Sequence, residues 1–144
     1  MEITIRNAVE HDAEAIALLL TELGYPQHSE TVRAKLLLLQ QDSTFRVFVA
    51  EVEAVIAGVI AFDVQPLFHQ ARSIGTIMAL IVRDSFRNRG IGSALIRHIE
   101  HVATEAGCIK IAVASGVHRE DAHRFYRSLG YEENTRRFVK SLSA

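Results

Sequence analysis

Apolar positions recur at two spacings along this chain. Ile3-Thr4-Ile5-Arg6 alternates, as a half-buried strand does. After Asp12, a candidate cap, Ile16, Leu19, Leu20 and Leu23 recur at helical spacing until Gly24-Tyr25-Pro26 breaks the run. A second helix is predicted from His28 or Ser29, with Val32, Leu36 and Leu39 on one side. Phe45 to Val52 and Val55 to Val64 are rich in β-branched and aromatic residues. The short Glu53-Ala54 link predicts that they pair antiparallel, although it lacks the glycine a tight turn prefers. Pro66 to Arg72 reads as a loop. Ile74 to Val82 is apolar almost without interruption, which predicts a strand buried on both faces. Ile91, Leu95, Ile99, Val102 and Ala106 make one stripe of a third helix, closed by Gly107. Ile109 to Val113 is the next strand. A fourth helix, about Glu120 to Leu129, places Ala122, Phe125, Tyr126 and Leu129 on one face before Gly130, and a last strand is expected within Tyr131 to Leu142. The order β-α-α-β-β-β-α-β-α-β predicts a mixed α/β layer. No repeat, low-complexity tract or linker interrupts it, so residues 1–144 are read as one domain.

Composition narrows the classes. The chain has 144 residues, 49% of them hydrophobic, enough for a sizeable core. A formal net charge of -1 offers no bulk field for nucleic acid or anionic lipid. The longest strictly apolar run, Ala54 to Phe62, is too short to span a bilayer. The opening residues lack the layout of a secretion signal. Cys108 is the only cysteine, so no internal disulfide forms. These features together lead to the expectation of a cytoplasmic protein, with Cys108 a small buried hydrophobe rather than a nucleophile.

Chemistry concentrates at Arg87-Asn88-Arg89-Gly90-Ile91-Gly92-Ser93, between the strand ending at Val82 and the third helix. The first amides of a helix have no partner within it, and the helix dipole puts partial positive charge there. Gly90 and Gly92 keep side chains away from those amides, while Arg87 and Arg89 add full charges. The segment reads as a pyrophosphate cradle; the plain alternative for the two arginines is a solvated loop. It is not a Walker A loop, because only Ile91 separates the glycines and no Lys precedes Ser93. Nor is it a dinucleotide fingerprint, because Leu95 stands where a third small residue is needed.

The Arg-x-x-Gly-x-Gly arrangement of Arg87, Gly90 and Gly92 resembles that of the GNAT superfamily of acyl-CoA-dependent N-acetyltransferases. The preceding Leu80 to Phe86 is similar to that family's fourth strand and entry loop. Ala122-His123-Arg124-Phe125-Tyr126-Arg127-Ser128-Leu129-Gly130-Tyr131 is similar to its Ala-x-x-Phe-Tyr-x-x-x-Gly-Phe/Tyr segment. The likeness covers nearly the whole chain. It implies an α/β (α+β) fold, a single mixed, mostly antiparallel sheet flanked by about four helices. It also implies that acetyl-CoA is the cosubstrate, with no metal. Main-chain amides of Arg89, Gly90, Ile91, Gly92 and Ser93 would hold its pyrophosphate, and Arg87 would add a charged contact. Main-chain groups of Leu80, Ile81 and Val82 would pair with the pantetheine arm where the fourth and fifth strands splay apart. These three residues also read simply as core strand.

Acetyl transfer needs a neutral amine, since a lysine-like ammonium of pKa ~10 has no lone pair. It needs stabilised charge on the carbonyl oxygen, for which the resemblance offers the N–H of Ile81 or a neighbour. The leaving thiolate benefits from a proton, and Tyr126 matches the family's tyrosine in that role; the alternative is a core tyrosine sharing its face with Phe125 and Leu129. Attack is expected to be direct, in a ternary complex. Many relatives carry a glutamate early on the fourth strand as base. Thr76 stands there, or Met78 if the register slips by two, and neither takes a proton at neutral pH. His69, Glu22 and Asp63 are weaker candidates. Arg119 stands where relatives often have asparagine and is assigned either to the CoA site or to solvent; His123 reads as structural. His98 and His101 lie three apart on the third helix but off its apolar stripe, with no third ligand, so they read as a solvated face. The expected partner is a primary amine on a small molecule, peptide or protein. The first two helices, the Pro66–Arg72 loop and the C-terminal strands are expected around it, with Leu67, Phe68 and Tyr25 as a partly apolar wall. The chain is also compatible with a homodimer. A non-catalytic acyl-CoA-binding sensor is the alternative, favoured by the missing strand glutamate and opposed by Tyr126.

Overall fold

The computed structural model describes residues 1–113, 120–134 and 138–142. The elements follow in the order β1 (Thr4–Asn7), α1 (Ala13–Leu23), α2 (Ser29–Leu39), β2 (Phe45–Val52), β3 (Val55–Pro66), β4 (Ser73–Val82), α3 (Ile91–Glu105), β5 (Cys108–Val113) and α4 (Glu120–Ser128). Two compact units contain them, Met1–Ala114 and Ser115–Ala144. In the first unit the sheet order is β1-β2-β3-β4-β5, with three antiparallel pairings and a parallel one between β4 and β5. This is the mixed, mostly antiparallel sheet expected above.

The sheet buries both faces because its strands alternate between two helical layers. Val49, Val59 and Ile81 pack into one cluster with Ile16 and Leu19 of α1 and Val32 and Leu36 of α2. The neighbouring positions turn the other way, where α3 lies on β3. At Gly58 an added Cβ would come within 3.1 Å of the Ile81 carbonyl oxygen and 3.2 Å of Ile91 and Leu95 side-chain atoms. A side chain there would push these neighbours back by a few tenths of an ångström, so glycine suits the close approach of α3. Gly75 is tighter still: a Cβ there would lie 2.6 Å from the Phe62 ring, and Phe62 is fully buried. Gly75→Ala is expected to cost about 1–3 kcal/mol by overpacking, read as a lower urea midpoint. Phe62→Leu in the same chain should recover part of that loss.

Several details differ from the sequence reading. The β2–β3 link closes without glycine, because Glu53 (φ 52°) and Ala54 (φ 64°) both adopt left-handed conformations; these are the dihedrals of a primed hairpin turn. Asp12 precedes α1 but makes no capping bond to it. Its carboxylate instead accepts the Val9 N–H at 2.8 Å and a two-pronged contact from Arg6, with both N–O distances 2.8 Å. Arg6 also reaches Glu51 on β2 at 2.5 Å, tying β1 to β2 and to the entry of α1. β4 is buried on both faces, Ile77 on the side of Phe62 and Ile81 on the side of α1 and α2, but it is interrupted at Met78, which is 49% exposed. The reason is a β-bulge, since Ala61 pairs with Ala79 but Phe62 pairs with Ile77, leaving Met78 as the extra residue. The last strand expected within Tyr131 to Leu142 is not found: residues 131–134 and 138–142 form no strand, and 135–137 lie outside the described residues.

Candidate active site

The bulge falls where the β4–β5 pairing ends. That ladder runs from Ser73↔Cys108 to Ile77↔Val113. Among the described residues, no strand pairs with the same edge of β4 beyond Met78. The Arg83 N–H donates to the Ala57 carbonyl at 2.8 Å, and Val59 pairs with Ile81. By the alternation of an antiparallel ladder, Ile81 turns its N–H and C=O toward β3, whereas Leu80 and Val82 turn theirs to the open edge. Of the three residues read as a docking strand, Leu80 and Val82 therefore offer main-chain groups on that edge.

A few residues further on, the chain forms the mouth of α3. Asn88 (φ 62°) and Gly90 (φ 80°) take left-handed conformations, which turn the chain into the helix. The first intrahelical bond runs from the Ala94 N–H to the Gly90 carbonyl at 3.0 Å, and no side chain caps the mouth. The N–H groups of Ile91, Gly92 and Ser93 thus precede the helical ladder, at its positive end. Ile91 is buried and anchors the turn, while Arg87, Arg89 and Gly90 are exposed. Arg87 pairs with Asp84 at 3.1 Å across the surface, and the Arg89 guanidinium sits 5.4 Å from the centre of the Phe86 ring. Arg83, one residue past β4, has a buried Nε with no hydrogen-bond partner among the described residues. Sequence reasoning did not single it out. A bare helix mouth, surface arginines and this donor are what a diphosphate ester needs, so the residues present fit the pyrophosphate end of CoA.

Other candidates lie elsewhere. The Pro66–Arg72 turn is closed by the Leu67 N–H on the Arg72 carbonyl at 3.1 Å, with Phe68 fully exposed. From Arg72 to Leu80 is about 26 Å of extended chain, so His69 and Phe68 sit at the far end of β4 from the α3 mouth. Tyr25 is exposed after α1. Cys108 lies against Gly75 and is partly buried; burial raises its thiol pKa and Arg46 partly offsets that. On α3, His98 packs edge-on to Phe48 with ring centres 4.6 Å apart, and His101 pairs with Glu105 at 3.0 Å. Among the described residues, no three His, Cys, Asp or Glu side chains cluster as metal ligands, and no helix is long and apolar enough to cross a membrane. A depression lined by Asn7, Leu36, Leu39, Gln40 and Phe45 includes none of the predicted site residues.

In the second unit, Tyr126 is half-buried on α4. Its ring stands edge-on to Phe125 and Tyr131, at 5.2 and 5.9 Å between centres. Burial raises its phenol pKa, so the hydroxyl keeps its proton over a wider range. Half-buried His123 shares the helix. Arg119 lies outside the described residues.

Comparison with known proteins points the same way. The model of the acetyltransferase (GNAT) family matches residues 11–131. An aminoalkylphosphonate N-acetyltransferase of Salmonella typhimurium is 32% identical over 96% of this chain and 90% of its own length. A glucosamine 6-phosphate N-acetyltransferase of Trypanosoma brucei is 30% identical over 63% of this chain and 60% of its own. Among solved structures, a transcriptional regulator from Bacillus halodurans superposes with a TM-score of 0.88 at 25% identity, covering 98% of this chain and 100% of that one.

Proposed function

The chain belongs to the acetyltransferase (GNAT) family and is an N-acetyltransferase, and from that premise we propose that it moves an acetyl group from acetyl-CoA directly to a primary amine in a ternary complex. The observation that carries the reading is the bare α3 mouth beside the open edge of β4. Bound acetyl-CoA would supply the activated thioester. The N–H groups from Arg89 to Ser93 hold the pyrophosphate, with Arg87 and Arg83 adding charge. Leu80 and Val82 extend their main-chain groups to the pantetheine arm, and an N–H of that edge stabilises charge on the carbonyl oxygen. Tyr126 supplies the proton that the departing sulfur takes. The first acceptors to test are small primary amines carrying a phosphonate or phosphate, because the names of the two relatives described above, an aminoalkylphosphonate and a glucosamine 6-phosphate N-acetyltransferase, specify that class.

Acetyl-CoA at about a hundred times its Kd is expected to stabilise the fold by about 2.7 kcal/mol. That corresponds to a Tm rise of roughly 5–10 °C. ATP is expected to give none of this. A shift with ATP but not with acetyl-CoA would overturn the reading. A shift with acetyl-CoA but no thiol release across the amine panel would favour the sensor.

A further inference from the structure

Resting on that reading, we propose that Asp63 is the base that removes the proton from the acceptor amine. Across the 12 residues of β3 and the 10 of β4, Asp63 is the single ionisable side chain. The ladder sets it opposite Thr76 and on the same face as Ala61 and Ala79. α1 and α2 cover Val59 and Ile81 on that face, but Ala61, Asp63, Thr76 and Ala79 are only partly buried. Ala61 and Ala79 therefore bring little side-chain bulk beside the bulge, with the carboxylate two residues along β3. An arm that enters beside Val82 and runs along the open edge brings its thioester toward Ala79. Asp63 lies two residues along and one strand across from Ala79, about 8 Å between Cα atoms. The arm on the far edge of β4 stands one more strand spacing out, about 12 Å from the Asp63 Cα, a distance that the side chain, one bridging water and the amine between them span.

The surroundings suit a proton acceptor. The Gln65 side-chain amide donates to Oδ2 at 3.1 Å, and among the described residues Oδ1 has no hydrogen-bond partner. β4 presents Thr76 and Ile74 to this face, and β2 presents Phe45; none of them titrates. The charged groups at that end of β2 are Arg46, which alternation turns to the opposite face, and Asp42, tied to Thr44 ahead of the strand. The step balances as follows. The Asp63 carboxylate takes a proton from the ammonium, directly or through water. The freed lone pair forms the C–N bond to the thioester carbon, the C–S bond breaks, and the thiolate takes a proton from Tyr126.

The test uses the full chain with an amine that the wild type acetylates. Asp63→Asn is expected to lower kcat at neutral pH about a hundredfold, with Tm and its acetyl-CoA shift unchanged. The deficit should shrink as pH approaches the amine's own pKa, where the acceptor is already neutral. Asp63→Asn with Thr76→Glu, which moves the carboxylate across the ladder, should restore part of the rate. An Asp63→Asn variant with wild-type kcat and pH profile overturns the assignment and leaves the transferase standing. So does one whose loss follows a matching fall in Tm. A wild type that binds acetyl-CoA yet acetylates no amine overturns transfer itself, and the base with it.

Discussion

Tyr126→Phe is expected to lower kcat about a hundredfold, the usual worth of a positioned general acid. The substitution removes one oxygen and keeps the ring, so the edge-on contacts with Phe125 and Tyr131 persist. Stability should therefore change by less than about 1 kcal/mol, and acetyl-CoA should shift Tm as in the wild type. Burial raises the phenol pKa. Loss of the donor by ionisation thus falls above the ordinary tyrosine value of about 10, and the variant should lack that alkaline limb. Steady-state rates from pH 6 to 11, beside a thermal melt, check all three expectations. A variant with unchanged kcat would make Tyr126 a core tyrosine, the reading its place beside Phe125 and Leu129 already allowed.

The second large effect concerns stability. Arg6→Met is expected to destabilise the fold by about 2–3 kcal/mol, a figure reduced from that of a fully buried pair because Arg6 is partly exposed. The arginine forks onto Asp12, whose side chain is only 6% exposed, and also reaches Glu51. Without it a buried carboxylate keeps only the Val9 N–H. Glu51→Gln should cost under about 1 kcal/mol, and Asp12→Asn in the Arg6→Met background should recover part of the loss. Burial alone would raise the Asp12 pKa, but the Arg6 and Val9 hydrogen bonds outweigh it and hold the pKa below the ordinary range. A carboxylate depressed in the folded state stabilises above its unfolded pKa, and that stability is lost as pH falls through the folded value. The difference between wild type and Arg6→Met should thus narrow below about pH 4. Urea melts at pH 7 and pH 3 measure it.

Much of this molecule was legible because its signals are local. Phe45 to Val52 folds as the strand its β-branched residues predict, and the stripe of Ile91, Leu95 and Ile99 faces the sheet. The turn from Asn88 to Gly90 could be read because a bare helix mouth needs only adjacent residues. What escaped depends on partners far away in the chain. Asp12 carries a capping residue's chemistry, but Arg6 competes for it and wins with charge. The bulge at Met78 is set by which β3 residue faces which on β4, and nothing in the run Ile74 to Val82 marks it. The place of Asp63 escaped for the same reason: only the ladder sets it opposite Thr76, two residues along β3 from the Ala61–Ala79 pair at the bulge.

The bare Cα at position 58 carries a consequence for how this scaffold diversifies. Ile91 and Leu95 of α3 rest against the bare Cα of Gly58 on β3. On the proposed reading, a methyl added there would lift the helix mouth from the sheet and lengthen the reach from diphosphate to thioester. Substitutions around Ala61 and Ala79, on the opposite side of the sheet, leave that spacing untouched.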